Sequence, residues 1–198
     1  MLVREDGNSG LKVLDKNHGH FQTNCKLTTA TGQQIEIVRG WTSVDLSIQG
    51  KAARFINTHL DGDCSDPAIL RAQAQEILDG PVQEAKDKDL PVVLLGDLNS
   101  KADGSGTPTY SDLLKPSAGF VDALAEVGSG SGFTCCQNDD LLNTESVLRD
   151  RRDFVLYSNG SFQAGDAEVV GTDPADRTPS GLWPSDHAGV VAKLRLLS

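Results

Sequence analysis

The sequence predicts a single α+β domain, and three observations support that prediction. The chain has 198 residues, of which 38% are hydrophobic, so it is long enough for one sizeable core and short for two. Runs typical of strands occur throughout, and an amphipathic helix separates two of them. No interior segment has the composition of a linker, so residues 1–198 are assigned to one domain.

The first third of the chain is predicted to be β-structure. The segment KLTTATGQQIEIV (26–38) indicates two short strands around a Thr-Gly turn. The segment SVDLSIQ (43–49) alternates between apolar and polar residues, as a strand with two unlike faces does. A turn at Gln49-Gly50 then leads into a further strand, AARFINTHL (52–60).

A helix is predicted to follow that strand and to start at Asp66. Asp66 is a suitable cap, Pro67 suits the first helical position, and Gly80-Pro81 marks the end. The apolar run 92–95 comes next and predicts a strand buried on both faces. A strand–helix–strand order of this kind predicts two neighbouring parallel strands with a right-handed connection.

The rest of the chain is predicted to contain more loops. A short helix starts at Thr107-Pro108, and GSGSG at 128–132 forms a turn. Three further strands are indicated by RDFVLY, AEVVG and AGVVAKLRLL, with a proline-rich loop before the last of them.

The strand in PVVLLGDLNS (91–100) ends abruptly in polar residues. In an extended chain Asp97 and Asn99 point the same way, toward the carboxyl end of a central strand, where open α/β sheets place ligands. The same residues also favour turns, so a simple polar exit from the core is the alternative interpretation.

Other polar residues lie where strands begin or end. His59 follows Asn57 on one strand face, Asp153 opens an apolar strand, and Asp186-His187 precede the last strand. Singly, each is explained by a hydrogen-bonded strand histidine or a turn-forming acid. Together with Asp97 and Asn99 they form a set suited to hydrolysing a phosphate ester with Mg²⁺ or Mn²⁺.

The formal net charge of −10 argues against a clamp that grips nucleic acid by electrostatics alone, but not against a phosphate substrate held through a cation. No apolar run is long enough for a membrane span, and no signal peptide opens the chain. The four cysteines, Cys25, Cys64, Cys135 and Cys136, fit no zinc spacing, and a bond between the adjacent pair would be strained. The compartment stays open on this evidence.

Four motifs in order, NTHL, GDLN, RRDFVL and SDH, resemble the endonuclease/exonuclease/phosphatase family, which includes deoxyribonuclease I and bacterial sphingomyelinases. From about Arg39 onward the chain is similar to bacterial family members of undefined substrate. The resemblance implies a four-layered α/β/β/α deoxyribonuclease I-like fold. It favours an extracytoplasmic location for full-length relatives.

The resemblance also implies a role for each candidate residue. Asp97 orients or deprotonates the attacking water, Asn99 hydrogen-bonds the scissile phosphate, and Asp186 binds the metal or orders its waters. Asp97, Asn99 and Asp186 together are the implied metal ligands. His187 contacts the phosphate or acts as acid and base with Asp153 holding its ring, and His59 assists the leaving group or binds phosphate.

Two features of the family pattern are absent, namely an Asn on its first strand and a metal-binding Glu in a QE motif. Gln75-Glu76 lies inside the predicted helix and does not replace that motif. The N-terminal part of the family domain is therefore expected to be missing, and MLVRED at the start resembles a strand from its middle. His59 is expected to lack the carboxylate that braces it in nuclease members.

A shortened domain has structural consequences that lead us to expect a homodimer. The strands after His59 are expected to build the second sheet of the sandwich, with only part of the first sheet before Arg39. Side chains expected to be poorly covered are Leu46, Ile48, Phe55, Val92 and Leu94. A second copy would cover such a surface and pair the open sheet edge.

Two functions from different classes follow. The first is a divalent-metal-dependent phosphoesterase acting on nucleic acid, a phospholipid head group or a small phosphoester. The alternative is a non-catalytic remnant, or phosphate-binding module, that retains the second half of the fold. A replacement metal site at His18 and His20 is a further alternative, and a Ser-His-Asp hydrolase is disfavoured because no serine lies in the required turn.

Overall fold

A computed structural model describes residues 1–4, 10–62, 64 and 66–197. Within these residues the chain forms ten strands and four α-helices. The strands are β1 (Leu11–His20), β2 (Cys25–Thr28), β3 (Gln34–Ile37), β4 (Gly40–Ile48), β5 (Lys51–His59), β6 (Val92–Asp97), β7 (Phe120–Asp122), β8 (Asp153–Ser158), β9 (Phe162–Val170) and β10 (Gly189–Leu196). The helices are α1 (Pro67–Ile77), α2 (Gln83–Asp87), α3 (Thr109–Leu113) and α4 (Ala123–Val127).

A six-stranded mixed sheet with the order β1-β4-β5-β6-β8-β7 forms the centre of the fold. Strands β5 and β6 are parallel and joined through α1 and α2, as the crossover prediction required, while the other neighbours are antiparallel. Strands β9 and β10 form a separate two-stranded sheet, and β2 pairs with β3.

The central sheet is covered on both faces, which defines the layers of the molecule. On one face, side chains of β5, β6 and β8 such as Ile56, Leu94 and Leu156 belong to a core with α1 and α3. On the other face, side chains such as Val93 and Tyr157 pack against α4 and the β9–β10 sheet. The strands β5 and β6, which end in His59 and Asp97, therefore lie between two apolar layers.

Two expectations about this sheet are wrong. Strand β6 and strands β7 and β8 do not build a second sheet but extend the one that holds β1, β4 and β5. Leu46, Val92 and Leu94 are also buried, and only Ile48 and Phe55 among the five are partly exposed. For Val92 and Leu94 the reason is that the α1–α2 crossover lies across their face of the sheet.

Helix α1 begins as its sequence indicates and is kinked where its sequence predicts an end. The Asp66 carboxylate accepts a hydrogen bond from the Ala68 amide at 2.9 Å, which satisfies one of the free N–H groups of the first turn. Gly80 has non-helical dihedral angles, and the chain then resumes a helix as α2. At the N-terminus, residues 1–4 form no strand, and the remainder of the MLVRED segment lies outside the described residues.

The polar face of β4 is buried under this kink instead of facing solvent. Asp45 and Arg54 are 4% and 2% exposed, and their carboxylate and guanidinium meet in two hydrogen bonds of 2.7 and 2.9 Å. Arg54 also donates to the carbonyl of Pro81 at 3.0 Å. This buried ion pair thus ties the central sheet to the crossover that leads into β6.

All four cysteines are paired. Cys25 and Cys64 form a disulfide that ties β2 to the segment before α1. The adjacent residues Cys135 and Cys136 are joined to each other, a pairing that the sequence analysis counted as strained. No helix among the described residues is long and apolar enough to cross a membrane.

Candidate active site

Three predicted site residues are aligned by the register of the central sheet. The parallel ladder pairs His59 at the end of β5 with Asp97 at the end of β6. The antiparallel ladder then pairs Asp97 with Asp153 at the start of β8. Residues directly opposite each other on neighbouring strands lie about 4.5–5.5 Å apart, so this register alone brings an imidazole and two carboxylates together.

Asn99 reaches the same place by a turn and not by strand alternation. The chain leaves β6 after Asp97, and Asn99 has a left-handed backbone with φ of 47°. The Asp97 carboxylate accepts a hydrogen bond from the Asn99 amide at 2.8 Å. The turn interpretation of this stretch is therefore confirmed, and the turn places the Asn99 backbone amide on the Asp97 carboxylate, while a catalytic role for the two residues stays a prediction.

Gly62 makes the position of Asn99 possible. The Asn99 side-chain amide donates to the carbonyl of Leu60 at 2.9 Å, which draws it against the chain that follows β5. A Cβ atom at Gly62 would lie 2.6 Å from the Asn99 side chain, closer than real Cβ contacts. Sequence reasoning missed this residue, because a glycine carries no pattern that shows which side chain packs against it.

The expected pairing of His187 with Asp153 is present. The Nδ1 atom of His187 lies 2.8 Å from the Asp153 carboxylate and 4.0 Å from that of Asp97. The hydrogen bond to Asp153 raises the pKa of His187, although partial burial acts in the opposite direction. Because Nδ1 is engaged with Asp153, Nε2 is the ring nitrogen left for a ligand in the cleft.

His59 has both a carboxylate and a guanidinium as neighbours. Its Nε2 atom lies 3.3 Å from the Asp97 carboxylate and 3.1 Å from the amide nitrogen of Asn99. Its Nδ1 atom lies 3.1 Å from a guanidinium nitrogen of Arg39. A guanidinium only donates, so Nδ1 accepts this hydrogen bond. The expectation that His59 lacks the bracing carboxylate of nuclease members stays a prediction, and Asp97 is its acidic neighbour in this structure.

Arg39 is a site residue that the sequence analysis missed. It directly precedes β4, whose first residues lie beside the end of β5 in the antiparallel ladder, with Trp41 opposite Thr58. The Thr58 hydroxyl also donates to the carbonyl of Gly40 at 2.9 Å. Knowledge of the β4–β5 hairpin register would therefore have placed Arg39 next to His59.

These residues line one open cleft of about 460 Å³. Arg39, Gly62 and Ser185 belong to its lining. The lining also contains all six predicted site residues: His59, Asp97, Asn99, Asp153, Asp186 and His187.

The electrostatics of the cleft favour a cation between its carboxylates. Burial raises the pKa of Asp97, and the nearby Asp153 carboxylate raises it too, while the Asn99 amide and the two imidazoles lower it. Ligand atoms of Asp97, Asp153 and His187 all lie within 4.8 Å of one another. Carboxylate oxygens are the preferred ligands of Mg²⁺ and Mn²⁺, so this donor set fits such an ion.

The metal ligands expected from the sequence all line this cleft, but they differ in how close they lie to the group formed by Asp97, Asp153 and His187. Asp97 is in the compact group, whereas Asp186 lies on the cleft wall outside it. His18 and His20 lie exposed on β1 and belong to none of the groups of three or more His, Cys, Asp or Glu ligands formed by the described residues.

Comparison with known proteins agrees with the geometry. A model of the endonuclease/exonuclease/phosphatase family matches residues 19–187. No curated protein sequence matches the chain significantly.

Solved structures show the same fold at low sequence identity. The Bacteroides thetaiotaomicron mannosyl-6-phosphatase is 18% identical with a TM-score of 0.69, over 94% of this chain and 68% of that one. The human Nocturnin catalytic domain is 18% identical with a TM-score of 0.65, over 96% of this chain and 62% of that one. TDP2 of D. rerio, complexed with a single-stranded DNA product, is 16% identical with a TM-score of 0.66, over 93% and 68%.

The expected deoxyribonuclease I-like α+β fold is therefore confirmed, and this chain spans about two thirds of the length of each of these three structures.

Proposed function

This chain belongs to the endonuclease/exonuclease/phosphatase family, and we propose that it hydrolyses phosphate esters with the help of a divalent cation, Mg²⁺ or Mn²⁺. The main support for this proposal is that His59, Asp97 and Asp153 lie opposite one another at the ends of three neighbouring strands. His187 is hydrogen-bonded to Asp153 beside them.

Asp97 and Asp153, whose carboxylates lie close together, are proposed to hold the cation, and Asn99 and Asp186 to contribute from the cleft lining. A divalent cation in this position supplies positive charge for the phosphoryl oxygens and a bound water of lowered pKa. Asp97, the most central carboxylate, orients the attacking water and accepts its proton.

Asn99 is proposed to donate a hydrogen bond to the phosphoryl group. Its side-chain nitrogen already donates an N–H to the Leu60 carbonyl and lies 3.1 Å from His59 Nε2, and these two contacts fix the side chain in the cleft. A donor held in place before the reaction stabilises the charge that develops in the transition state.

The remaining hydrogen-bonding groups lie on two sides of the site. His187, held through Nδ1 by Asp153, binds the phosphate or transfers a proton through Nε2. His59 and Arg39 lie on the β4–β5 side, where the positive charge of Arg39 and the hydrogen bonds of both side chains serve the leaving group. Guanidinium groups suit phosphate oxygens because they offer several donors in one plane.

A second candidate function is phosphate binding without turnover. Arg39, His59, Asn99 and His187 supply donors for an anion within this chain alone. About a third of each longer relative lies outside the part matched by this chain, so binding without turnover is kept as one outcome of the test.

The test is hydrolysis of bis(4-nitrophenyl) phosphate and 4-nitrophenyl phosphate with Mn²⁺ or Mg²⁺, each with and without a chelator. We expect activity only with metal. The Asp97→Ala variant should lose most of it, and Asn99→Ala should raise the barrier by roughly 2–4 kcal/mol, as loss of a transition-state donor does.

Asp166→Asn is the matched control, because this acid lies exposed on β9 outside the cleft lining. Full activity in chelator or in Asp97→Ala would contradict the proposal. No activity, together with saturable binding of inorganic phosphate that Asn99→Ala weakens, would favour the binding module.

A further inference from the structure

The segment 134–137, which contains the adjacent cysteines, links the two halves of the Asp153–His187 pair. The Thr134 hydroxyl accepts a hydrogen bond from the Asp153 amide at 3.1 Å. The Thr134 carbonyl accepts from the Ala188 amide at 2.8 Å, and the Gln137 amide donates to the carbonyl of Asp186 at 2.9 Å. Cys135 itself is bridged to both Asp150 and His187 through the backbone. The two cysteines thus occupy the piece of chain that holds His187 beside Asp153.

The sulfur atoms of this segment also lie close to the His187 ring. One ligand atom each of Cys135, Cys136 and His187 lie within 4.8 Å of one another. Cys135 is only 1% exposed and Cys136 is half-buried, so this group is largely shielded from solvent. His187 therefore belongs to two donor sets, one with the oxygens of Asp97 and Asp153 and one with the two sulfurs.

These donor sets select different metal ions. Carboxylate oxygens suit Mg²⁺ and Mn²⁺, whereas two thiolates with an imidazole suit Zn²⁺ and other thiophilic ions. We propose that Cys135 and Cys136, when reduced, form with His187 a binding site for a thiophilic divalent cation such as Zn²⁺. A cation bound there takes a ring nitrogen of His187 as a ligand. When the two cysteines are joined in a disulfide they offer no thiolate, and the cation does not bind.

Two balanced steps open and fill the site. A phosphine takes the oxygen of one water molecule and becomes a phosphine oxide, while the two hydrogens of that water become the thiol protons as the sulfur–sulfur bond breaks. A dithiol does the same by giving up both of its thiol hydrogens and closing to a cyclic disulfide. Zn²⁺ then replaces both thiol protons, forming two zinc–sulfur bonds, and a His187 nitrogen donates its lone pair as a third ligand. Water completes a four-coordinate site, and two protons leave to solvent.

The other cysteine pair is a matched control within the same chain. Cys25 and Cys64 form the second disulfide, and their nearest potential third ligand is the Asp61 carboxylate, which accepts a hydrogen bond from the Cys64 amide at 3.0 Å. That group has no imidazole. Because a cobalt–thiolate band could arise at either pair, replacing Cys25 and Cys64 by Ala assigns the band to Cys135 and Cys136.

The experiment uses Co²⁺ as a spectroscopic probe for Zn²⁺, in the full chain carrying Cys25→Ala and Cys64→Ala. The protein is reduced with a phosphine, freed of reductant without air, and titrated with Co²⁺ while the near-ultraviolet band of cobalt–thiolate bonds is followed. We expect one equivalent of Co²⁺ to produce the band in the reduced protein and none in the oxidised protein. Zn²⁺ should displace the cobalt and abolish the band.

Two further variants assign the ligands. Cys136→Ser, at the less buried cysteine, should reduce the band at least twofold, and His187→Asn should weaken Co²⁺ binding at least tenfold while leaving a thiolate band at higher metal. If circular dichroism shows that the Cys25→Ala, Cys64→Ala chain does not fold, the titration is repeated with the wild-type chain and its Cys136→Ser variant. The difference between their cobalt–thiolate bands then gives the contribution of Cys136. Absence of the band in the reduced protein, or a band unchanged by Cys136→Ser, would overturn the proposal. Neither outcome depends on hydrolysis, so the proposed function is tested separately.

Discussion

At the scale of single residues, the Asp153–His187 pair is the best defined part of the cleft. The Nδ1–carboxylate distance of 2.8 Å is that of a charge-assisted hydrogen bond, and it favours the protonated ring. A group whose pKa is raised on folding stabilises the folded state fully below its unfolded pKa, about 6.5 for histidine, and this contribution is lost as pH rises through the folded pKa.

An NMR titration of the metal-free chain tests whether Asp153 raises the pKa of His187. The His187 ring should titrate above the ordinary histidine value, and Asp153→Asn should bring its pKa down, since the hydrogen bond to Asp153 is the largest cause of the rise. The stability lost by Asp153→Asn should be largest at acidic pH and shrink above neutrality. A His187 pKa that does not change in Asp153→Asn would show that the carboxylate does not hold the ring.

The relative importance of the two histidines is a separate prediction. We expect His187→Ala to reduce hydrolysis more than His59→Ala, with Asp153→Asn close to His187→Ala, because only His187 has a short hydrogen bond to a carboxylate. The measurement is kcat/KM of the three variants on the same phosphodiester. Greater sensitivity at His59 would assign the proton-transfer role to the β5 side of the cleft, together with Arg39.

At the scale of elements, the site depends on a close approach between the end of β5 and the turn after β6. Gly62→Ala should displace the Asn99 side chain, because the new Cβ would lie 2.6 Å from it. We expect a loss of activity comparable to Asn99→Ala, with an unchanged far-ultraviolet circular dichroism spectrum.

Gly165→Ala on β9 is the control for this substitution, since a Cβ there meets only an ordinary contact at 3.8 Å. Equal activity of the Gly62 and Gly165 variants would mean that the turn moves aside without affecting the site.

The buried ion pair under the helix crossover is the second element-scale feature with a measurable consequence. Asp45→Ala leaves the buried Arg54 guanidinium without its main partner and should lower the free energy of unfolding by roughly 3–5 kcal/mol. Urea denaturation measures this change.

Asp15→Ala removes the exposed partner of Lys88, where both side chains are more than half exposed, and should change stability little. If Asp45→Ala and Asp15→Ala unfold at similar urea concentrations, the Asp45–Arg54 pair does not stabilise the fold as proposed.

At the scale of the whole molecule, we propose that the chain forms a homodimer, although the original reason for expecting one no longer holds. Leu46, Val92 and Leu94 are buried within one chain, so exposed core is not the driving force. Among the described residues, the β9–β10 sheet has only two strands and keeps unpaired edges, next to the exposed side chains of Val170 and Val191. Such edges recruit strands from another copy.

Light scattering of the eluting protein at micromolar concentration measures this directly. We expect twice the chain mass, and a Val191→Lys variant on β10 should shift the protein toward the monomer mass. A wild-type chain that elutes at the monomer mass across that concentration range would rule the dimer out.

The sequence by itself determined the local elements and the chemical nature of the site. The Asp66 cap, the turn at Gln49-Gly50 and the strand that ends at Asp97 all follow from residue type and spacing within a few positions, and the structure confirms each. The crossover predicted that the strands ending at His59 and Asp97 are parallel neighbours, and the structure pairs these two residues in that ladder.

Only the tertiary structure decided which strands share a sheet and which distant residues complete the cleft. Arg39 meets His59 across 20 positions, and Asp153 meets His187 across 34, through ladders whose register no local pattern specifies. Gly62 and the segment 134–137 matter because of what packs against them, and a glycine or a pair of cysteines has no periodicity that reveals its neighbours. The physical reason is that hydrophobic spacing records which face of an element is buried, whereas the partner that buries it depends on long-range pairing.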